Sequence, residues 1–292
     1  MSIAIQTIAV LGAGTMGRGI AQVAATGGFR THLFDVSAAQ LAAAEAAIEK
    51  NLAKAAELGK LAPEDAAAAK SRLSFDSTIA AAVGEADLVV EAVPERIELK
   101  AATFQEVQRH CPAHALFASN TSALSITEMA ASTDRPERFA GMHFFNPVHV
   151  MKLVEVVAAL QSSRETIAAV SAVAHRMGKE TVEVREAPGF VTTRINALIG
   201  NEAFRMLEQG VASAADIDKA LKLGLNHPMG PFEMIDLVGL DVRLAILEHL
   251  HRTLGEAFRP SNLHVQYVRA GRLGRKTGCG VYAYDEQGRR IG

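Results

Sequence analysis

The stretch TIAVLGAGTMGRGIAQVAATGGFRTHLFD, residues 7 to 35, restricts the fold more than any other part of the chain. A short apolar run at residues 7 to 11 leads into Gly12, Gly14 and Gly17, then a segment with helical spacing, then a second apolar run that closes on Asp35. The order is strand, tight turn, helix, strand. Each glycine does something mechanical. Gly12 makes the turn, Gly14 lets a pyrophosphate approach the backbone, and Gly17 allows the helix to pack closely on the sheet. The phosphates then meet free N–H groups and the positive end of the helix dipole, which makes Gly12, Gly14, Thr15, Met16 and Gly17 candidate cofactor-binding residues. Asp35 is placed to accept hydrogen bonds from an adenosine ribose and to repel a 2′-phosphate, so the expected dinucleotide is NAD rather than NADP. Glycine loops of this spacing also occur in ordinary turns. The strand before, the helix after and the acid at the next strand end together specify a dinucleotide site.

At 292 residues and 49% hydrophobic content, the chain can bury two domain cores. A formal net charge of -2 gives no reason to expect nucleic acid or an anionic membrane as a partner, so any anion is held locally. Cys111 and Cys279 stand apart, without CxxC or metal-type spacing, so neither a disulfide framework nor a metal site is expected. The apolar start, MSIAIQTIAVLGAG, lacks a basic leader region and reads as the first strand, and no apolar run reaches the ~18 residues of a membrane span. A cytoplasmic protein is the expectation.

Beyond Asp35, the alanine-rich segment from Ser37 to Ser74 predicts two helices broken near Gly59 to Pro63, the first capped by Ser37. Lys50 and Lys54 share one helical face with Asn51 beside them; the face is either simply solvated or helps to hold a large anionic substrate. ADLVVEAVPE predicts a buried strand at residues 87 to 93 and a loop carrying Glu95, and Lys100 opens the next helix. ALFASNTSALSITEMA repeats the design: a strand, the polar loop Ser119-Asn120-Thr121-Ser122, and a helix capped by Ser125 with Glu128 at capping-box spacing. Turn and capping chemistry alone would account for that loop. In an open parallel sheet, however, loops at the carboxyl ends of strands line the ligand crevice, so the glycine, Glu95 and Ser119–Ser122 loops are expected to face one cleft.

RFAGMHFFNPV reads as a strand ending in a Pro-containing turn and KLVEVVAA as the next strand; the two can run as neighbours joined by NPVHVM, which would let His143 and Glu155 meet, or continue around the cleft. Either residue alone has an ordinary explanation, as a satisfied core histidine or an edge-strand charge. A buried glutamate is expensive unless paired, and His143 is the nearest partner by sequence. A carboxylate beside an imidazole fixes its tautomer and stabilises the imidazolium, as a proton acceptor in alcohol oxidation requires.

The βα alternation stops near Pro188-Gly189. Beyond it, FVTTRINALIGNEAFRMLEQG, SAADIDKALKLGLN with Ser213 as cap, and FEMIDLVGLDVRLAILEHLHRTLG each read as helical. His249 and His251 fall on different helix faces, and no zinc-type spacing appears. Phe190, Ile195, Leu198, Ile199 and Phe204 exceed what one helix needs against its own domain, which points to a helical dimer interface. With no internal repeat and no low-complexity linker, the predicted architecture is α/β: a Rossmann-type doubly wound sheet over residues 1–186 and a second, all-helical domain over residues 187–292, arranged around a cleft.

Taken in order, GAGTMG, Asp35, EAVPE, SNTSALSIT, GMHFFNPVHVMKLVEVV, PGFVTTR, HPMGPFEMIDLVGLD and GRKTGCGVY resemble the L-3-hydroxyacyl-CoA dehydrogenases, especially the short 3-hydroxybutyryl-CoA type. The resemblance implies reversible oxidation of a short-chain (S)-3-hydroxyacyl-CoA to the 3-oxoacyl-CoA in fatty acid or butanoate metabolism, with NAD as cofactor, and a homodimer. It implies that His143 is the catalytic base, Glu155 its partner, and that Ser122 and Asn146 border the nicotinamide and the substrate oxygens. Glu95, Lys100 and Asn120 are implied at the cofactor, with Lys276 of GRKTG reaching it from the second domain. Two departures stand out. Thr193 occupies the position where the family usually has Asn before the Arg, so a hydrogen bond to the substrate carbonyl comes from a hydroxyl or is lost. In the helix implied to contact coenzyme A through Asn51 and Lys54, Asn51 stands where Ser is frequent and Leu58 replaces a lysine. Rival readings are a dehydrogenase of a sugar acid or other small hydroxy acid that needs no CoA face, and a non-catalytic nucleotide- or substrate-binding protein.

Overall fold

The computed structural model describes residues 3–291 and divides the chain after Phe190 into two compact units. The first is built on an eight-stranded sheet. Its elements are β1 (Thr7–Leu11), α1 (Thr15–Thr26), β2 (Arg30–Phe34), α2 (Ala38–Glu57), α3 (Pro63–Ser71), β3 (Leu73–Asp76), α4 (Ile79–Val83), β4 (Leu88–Glu91), α5 (Ile97–Val107), β5 (Leu116–Ser119), α6 (Ile126–Ala131), β6 (Phe139–Phe144), β7 (Leu153–Ala158), α7 (Arg164–Arg176) and β8 (Glu180–Arg185).

The strand order is β3-β2-β1-β4-β5-β6-β7-β8. All neighbours are parallel except β6 and β7, which pair antiparallel. The first six strands thus form the doubly wound order in which the chain reverses direction across the sheet beside β1, the place where such sheets hold dinucleotides. Strands β1, β4 and β5 are buried along their whole length, because helices cover both faces of a parallel sheet. Two apolar layers result. One packs α1, α2 and α7 around Ile8, Phe29 and Phe144, and the other packs α5 and α6 around Phe104, Phe117 and Phe139. Ser37, Thr78, Ser125 and Ser163 each accept an N–H from the first turn of the helix they precede, which fixes where those helices begin.

The second unit contains α8 (Thr192–Glu208), α9 (Ala214–Gly224), α10 (Pro231–Val238), α11 (Leu240–Leu254), α12 (Asn262–Arg269) and a short hairpin of β9 (Ala283–Tyr284) and β10 (Arg290–Ile291). The stretch read from sequence as one helical piece is two, α10 and α11, separated at Gly239, whose φ of 111° no helix can contain. Asp218 and Asp236 organise the interior. Asp218 accepts hydrogen bonds from Phe232 N, Glu233 N and the Tyr282 hydroxyl, and Asp236 accepts from Val281 N, Tyr282 N and the Tyr284 hydroxyl. The phenyl ring of Phe204 stacks on His264 at 4.6 Å.

The surplus of apolar side chains inferred from sequence around α8 is smaller than expected. Phe190 lies in the core of the first unit and Phe204 in that of the second, so neither is available to a partner; Ile195 is exposed.

Candidate active site

The turn between β1 and α1 has a form that only glycine permits. Gly12 adopts φ 100° and donates its N–H to Phe34 O at 2.8 Å, and a Cβ there would lie 2.7 Å from Ala92 O. At Gly17 a Cβ would fall 1.7 Å from Gly12 O, so the helix approaches the turn more closely than any side chain allows. Gly14 caps α1 with nothing within 4 Å of a built Cβ. Open space above bare backbone at the start of a 12-residue helix is the cradle a pyrophosphate needs, so these residues fit a dinucleotide. Thr15 is exposed there, and Met16 is half-buried and packs down on the core. Asp35 follows β2. Its Oδ2 accepts from Ala13 N at 2.8 Å and its Oδ1 from Ser37 N at 2.9 Å, which locks the carboxylate against the glycine turn with lone pairs left for a ribose.

The carboxyl ends of β4 and β5 hold a second cluster. Glu91, the last residue of β4, is fully buried; its Oε1 accepts from Val93 N at 2.6 Å and Lys100 Nζ at 2.7 Å, and its Oε2 from Ser119 Oγ at 2.6 Å. Burial pushes the Glu91 carboxyl above its ordinary range against the opposing pull of Lys100, Ser119 and the Val93 N–H. Lys100 is itself 1% exposed and reaches Glu95 Oε2 at 3.1 Å. Glu95 Oε1 accepts from Thr121 Oγ1 at 2.5 Å and from Ser122 N at 3.0 Å. Asn120 ties this loop to β6, accepting from Phe144 N at 2.9 Å through its side chain.

His143 and Glu155 face each other directly across the antiparallel β6/β7 pair. His143 Nδ1 lies 2.7 Å from Glu155 Oε2, with the histidine 7% exposed and the glutamate fully buried. Against a carboxylate the Nδ1 position carries the proton, which leaves the Nε2 lone pair as the ring's acceptor. The rings of Phe145 and Phe190 flank the imidazole at 4.6 and 5.8 Å. Phe190 stands at φ 49°, an unusual conformation for a bulky residue, held by burial of its ring. Asn146, two residues beyond β6, is exposed and precedes the cis peptide at Pro147.

The other residues that the sequence points to are placed as follows. Ser122 is half-buried beside Glu95. Asn51 donates to Gln22 Oε1 of α1 at 3.0 Å, while Lys54 is exposed and pairs with Glu57 at 3.3 Å. Thr193 is buried in the first turn of α8, and Lys276 holds both oxygens of Asp241 at 2.6 and 2.7 Å. Sequence reasoning missed the parts played by Glu91 and Thr121, although a lone acid ending an apolar strand nine residues before a lysine is a legible signal for a buried pair. Among the described residues no group of three or more His, Cys, Asp or Glu side chains is arranged to hold a metal ion.

A doubly wound sheet with a glycine cradle, an acid at the end of the second strand and a buried imidazole–carboxylate pair has the make-up of an NAD-dependent oxidoreductase. The family model described as 3-hydroxyacyl-CoA dehydrogenase, NAD binding domain, matches residues 7–187, and that of the C-terminal domain matches residues 189–284. The chain belongs to the 3-hydroxyacyl-CoA dehydrogenase family. It is 46% identical over 284 residues to a Bacillus subtilis protein named "Probable 3-hydroxybutyryl-CoA dehydrogenase", covering 97% of this chain and 99% of that one. It is 42% identical over 289 residues to the mitochondrial hydroxyacyl-coenzyme A dehydrogenase of Rattus norvegicus, covering 97% and 92%. The crystal structure of (S)-3-hydroxybutyryl-CoA dehydrogenase from Ralstonia eutropha superposes with a TM-score of 0.93 at 42% identity, covering 97% of this chain and all of that one.

Proposed function

We propose that this protein interconverts short-chain (S)-3-hydroxyacyl-CoA, such as 3-hydroxybutanoyl-CoA, and the 3-oxoacyl-CoA. The observation that carries the reading is the buried His143–Glu155 hydrogen bond at 2.7 Å, which presents Nε2 as a proton acceptor. NAD, when bound, supplies the hydride acceptor for the oxidation. In that direction His143 removes the hydroxyl proton at Nε2, and Glu155 offsets the charge that then develops on the imidazole. Ser122 and Asn146 orient the substrate oxygen and the nicotinamide ring, and Asn120 and Glu95 border the cofactor. Lys100, being buried, serves the cofactor through Glu95. Thr15, Met16 and the three glycines take the pyrophosphate, and Asp35 takes the ribose. Thr193 is assigned to the substrate carbonyl and Lys276 to the cofactor on the resemblance alone, as are Asn51 and Lys54 to coenzyme A. The 3-hydroxybutyryl-CoA names of the bacterial relatives support the short acyl chain. We extend the reading to a cofactor domain over residues 1–186, a substrate and dimerisation domain over residues 187–292, a homodimer and a cytoplasmic location. No helix of the described residues is long and apolar enough to cross a membrane.

The test is direct. Acetoacetyl-CoA is mixed with NADH and the loss of near-ultraviolet absorbance is followed, with free acetoacetate as comparison. Turnover of the thioester alone is expected. Equal turnover of the free acid would favour a small hydroxy-acid dehydrogenase, and no turnover of either a binding protein.

A further inference from the structure

Glu91 is a fully buried carboxylate in the nucleotide-binding half of the first unit, and the proposed mechanism gives it no part. It does not border the open space of the cradle: its residue is fully covered and every hydrogen bond it makes is internal. Such a group is costly to keep unless it is paired and hydrogen-bonded, as Glu91 is to Lys100, Ser119 and the Val93 N–H, and those same bonds fix where its partners stand. Two routes run from it to one residue. Along the first, Ser119 Oγ donates to Glu91 and accepts from Thr121 N at 3.2 Å, and Thr121 Oγ1 then donates to Glu95. Along the second, Lys100 bridges Glu91 Oε1 and Glu95 Oε2. Both routes end on the Glu95 carboxylate, which holds Ser122 by its backbone N–H at 3.0 Å and its hydroxyl at 3.4 Å.

We propose that Glu91 is a positioning residue for the reaction: it fixes the Glu95 carboxylate from below and so sets the pose of Ser122. The inference rests on the proposed role of Ser122. The closed ring Glu91–Ser119–Thr121–Glu95–Lys100 links the ends of β4 and β5, so the two loops that carry Glu95 and Ser122 move as one piece. Glu95 alone lacks that rigidity, because its side chain is 43% exposed and would otherwise exchange its partners for water. A carboxylate anchored by a buried ammonium and a hydroxyl chain holds a serine hydroxyl to the narrow tolerance that transfer chemistry requires.

A double-mutant cycle separates this role from plain structural support. Turnover of acetoacetyl-CoA at saturating NADH is measured for the wild type, Glu91→Gln, Ser122→Ala and the double variant, with thermal unfolding recorded for each. Glu91→Gln is expected to lower kcat about tenfold with a smaller change in KM. In the Ser122→Ala background the same change is expected to cost less than about twofold, because the side chain it positions is gone. An equal fold loss in both backgrounds, or no loss in the first, overturns the proposal. Should Glu91→Gln fail to fold, Ser119→Ala cuts the first route and is measured in the same cycle, where the same results support or overturn the proposal. A wild-type enzyme inert towards the thioester would overturn the substrate reading and this inference together, whereas an active one with an additive cycle overturns this inference alone.

Discussion

The proposed proton acceptor is a single imidazole, and its surroundings favour that role. Glu155 binds Nδ1, two phenyl rings flank His143, and Nε2 is the atom left for chemistry. His143→Ala is expected to retain NADH binding, followed by fluorescence titration, while kcat falls by about 10²–10⁴-fold. Glu155→Gln keeps the shape but removes the charge, so turnover should drop without loss of NADH affinity, and steady-state kinetics at fixed pH will show it. At Asp35 the carboxylate is held by two backbone N–H groups, Ala13 and Ser37, and its proposed contact with the ribose would repel a 2′-phosphate. The paired change Asp35→Ser and Val36→Arg removes the repulsion and adds a cation beside an already exposed position; competition kinetics between NADH and NADPH should register a shift toward NADPH.

Among the elements, the β1–α1 turn shows how two glycines of one motif differ in kind. A methyl at Gly17 meets Gly12 O at 1.7 Å, so Gly17→Ala must push α1 away from the sheet and is expected to lose about 1–3 kcal/mol of stability in urea unfolding. Gly14→Ala meets nothing, so the fold should be unchanged while NADH affinity drops, because the methyl would enter the space proposed for the pyrophosphate. Element boundaries are readable where capping chemistry marks them, as at Ser37, Ser125 and Ser213, each of which accepts the expected first-turn N–H. The edge strands are not. LSFD in β3 is only half-buried, and ETVEVR in β8 buries Val184 alone, so neither carries the apolar run that announces an interior strand. The division of α10 from α11 is hidden for a different reason: a single Gly239 interrupts a continuous helical periodicity, and only its positive φ reveals the break.

On the scale of the whole molecule, the second unit carries a built-in pH dependence. His264 is 1% exposed and its Nε2 lies 2.9 Å from Leu240 O, while Nδ1 has no hydrogen-bond partner among the described residues. Burial, with the nearby Arg243 charge, holds its pKa below the ordinary imidazole value, although Leu240 O opposes the shift; Arg243 itself is brought down to about 10 by burial. The unfolded chain therefore binds a proton more readily than the folded one. The stability contributed by His264 is complete above the unfolded pKa of about 6.5 and declines as pH falls through that value toward the folded pKa. Thermal unfolding followed from pH 8 to pH 5.5 should show a falling midpoint, and His264→Phe, which keeps a ring beside Phe204, should flatten the slope. The proposed homodimer is checked by light scattering, with twice the chain mass expected. Saturating NADH should raise the unfolding midpoint, because a ligand that binds only the native state stabilises it by mass action.

What the sequence determined by itself is local chemistry: the glycine turn, Asp35, the polar loop after β5 and the alternation of apolar runs with helices follow from short-range sterics and burial periodicity, which are written in adjacent residues. The pairing of His143 with Glu155 is one of two courses the sequence leaves open, and the antiparallel register of β6 and β7 selects it. The ring of Glu91, Lys100, Ser119, Thr121 and Glu95, and the separation of Phe190 and Phe204 into different cores, come from the packed fold. Those contacts join residues carried by different strands, helices and loops. Apart from the nine-residue spacing of Glu91 and Lys100, nothing in the chain encodes them; they exist because sheet order and helix packing bring the ends of β4 and β5 side by side.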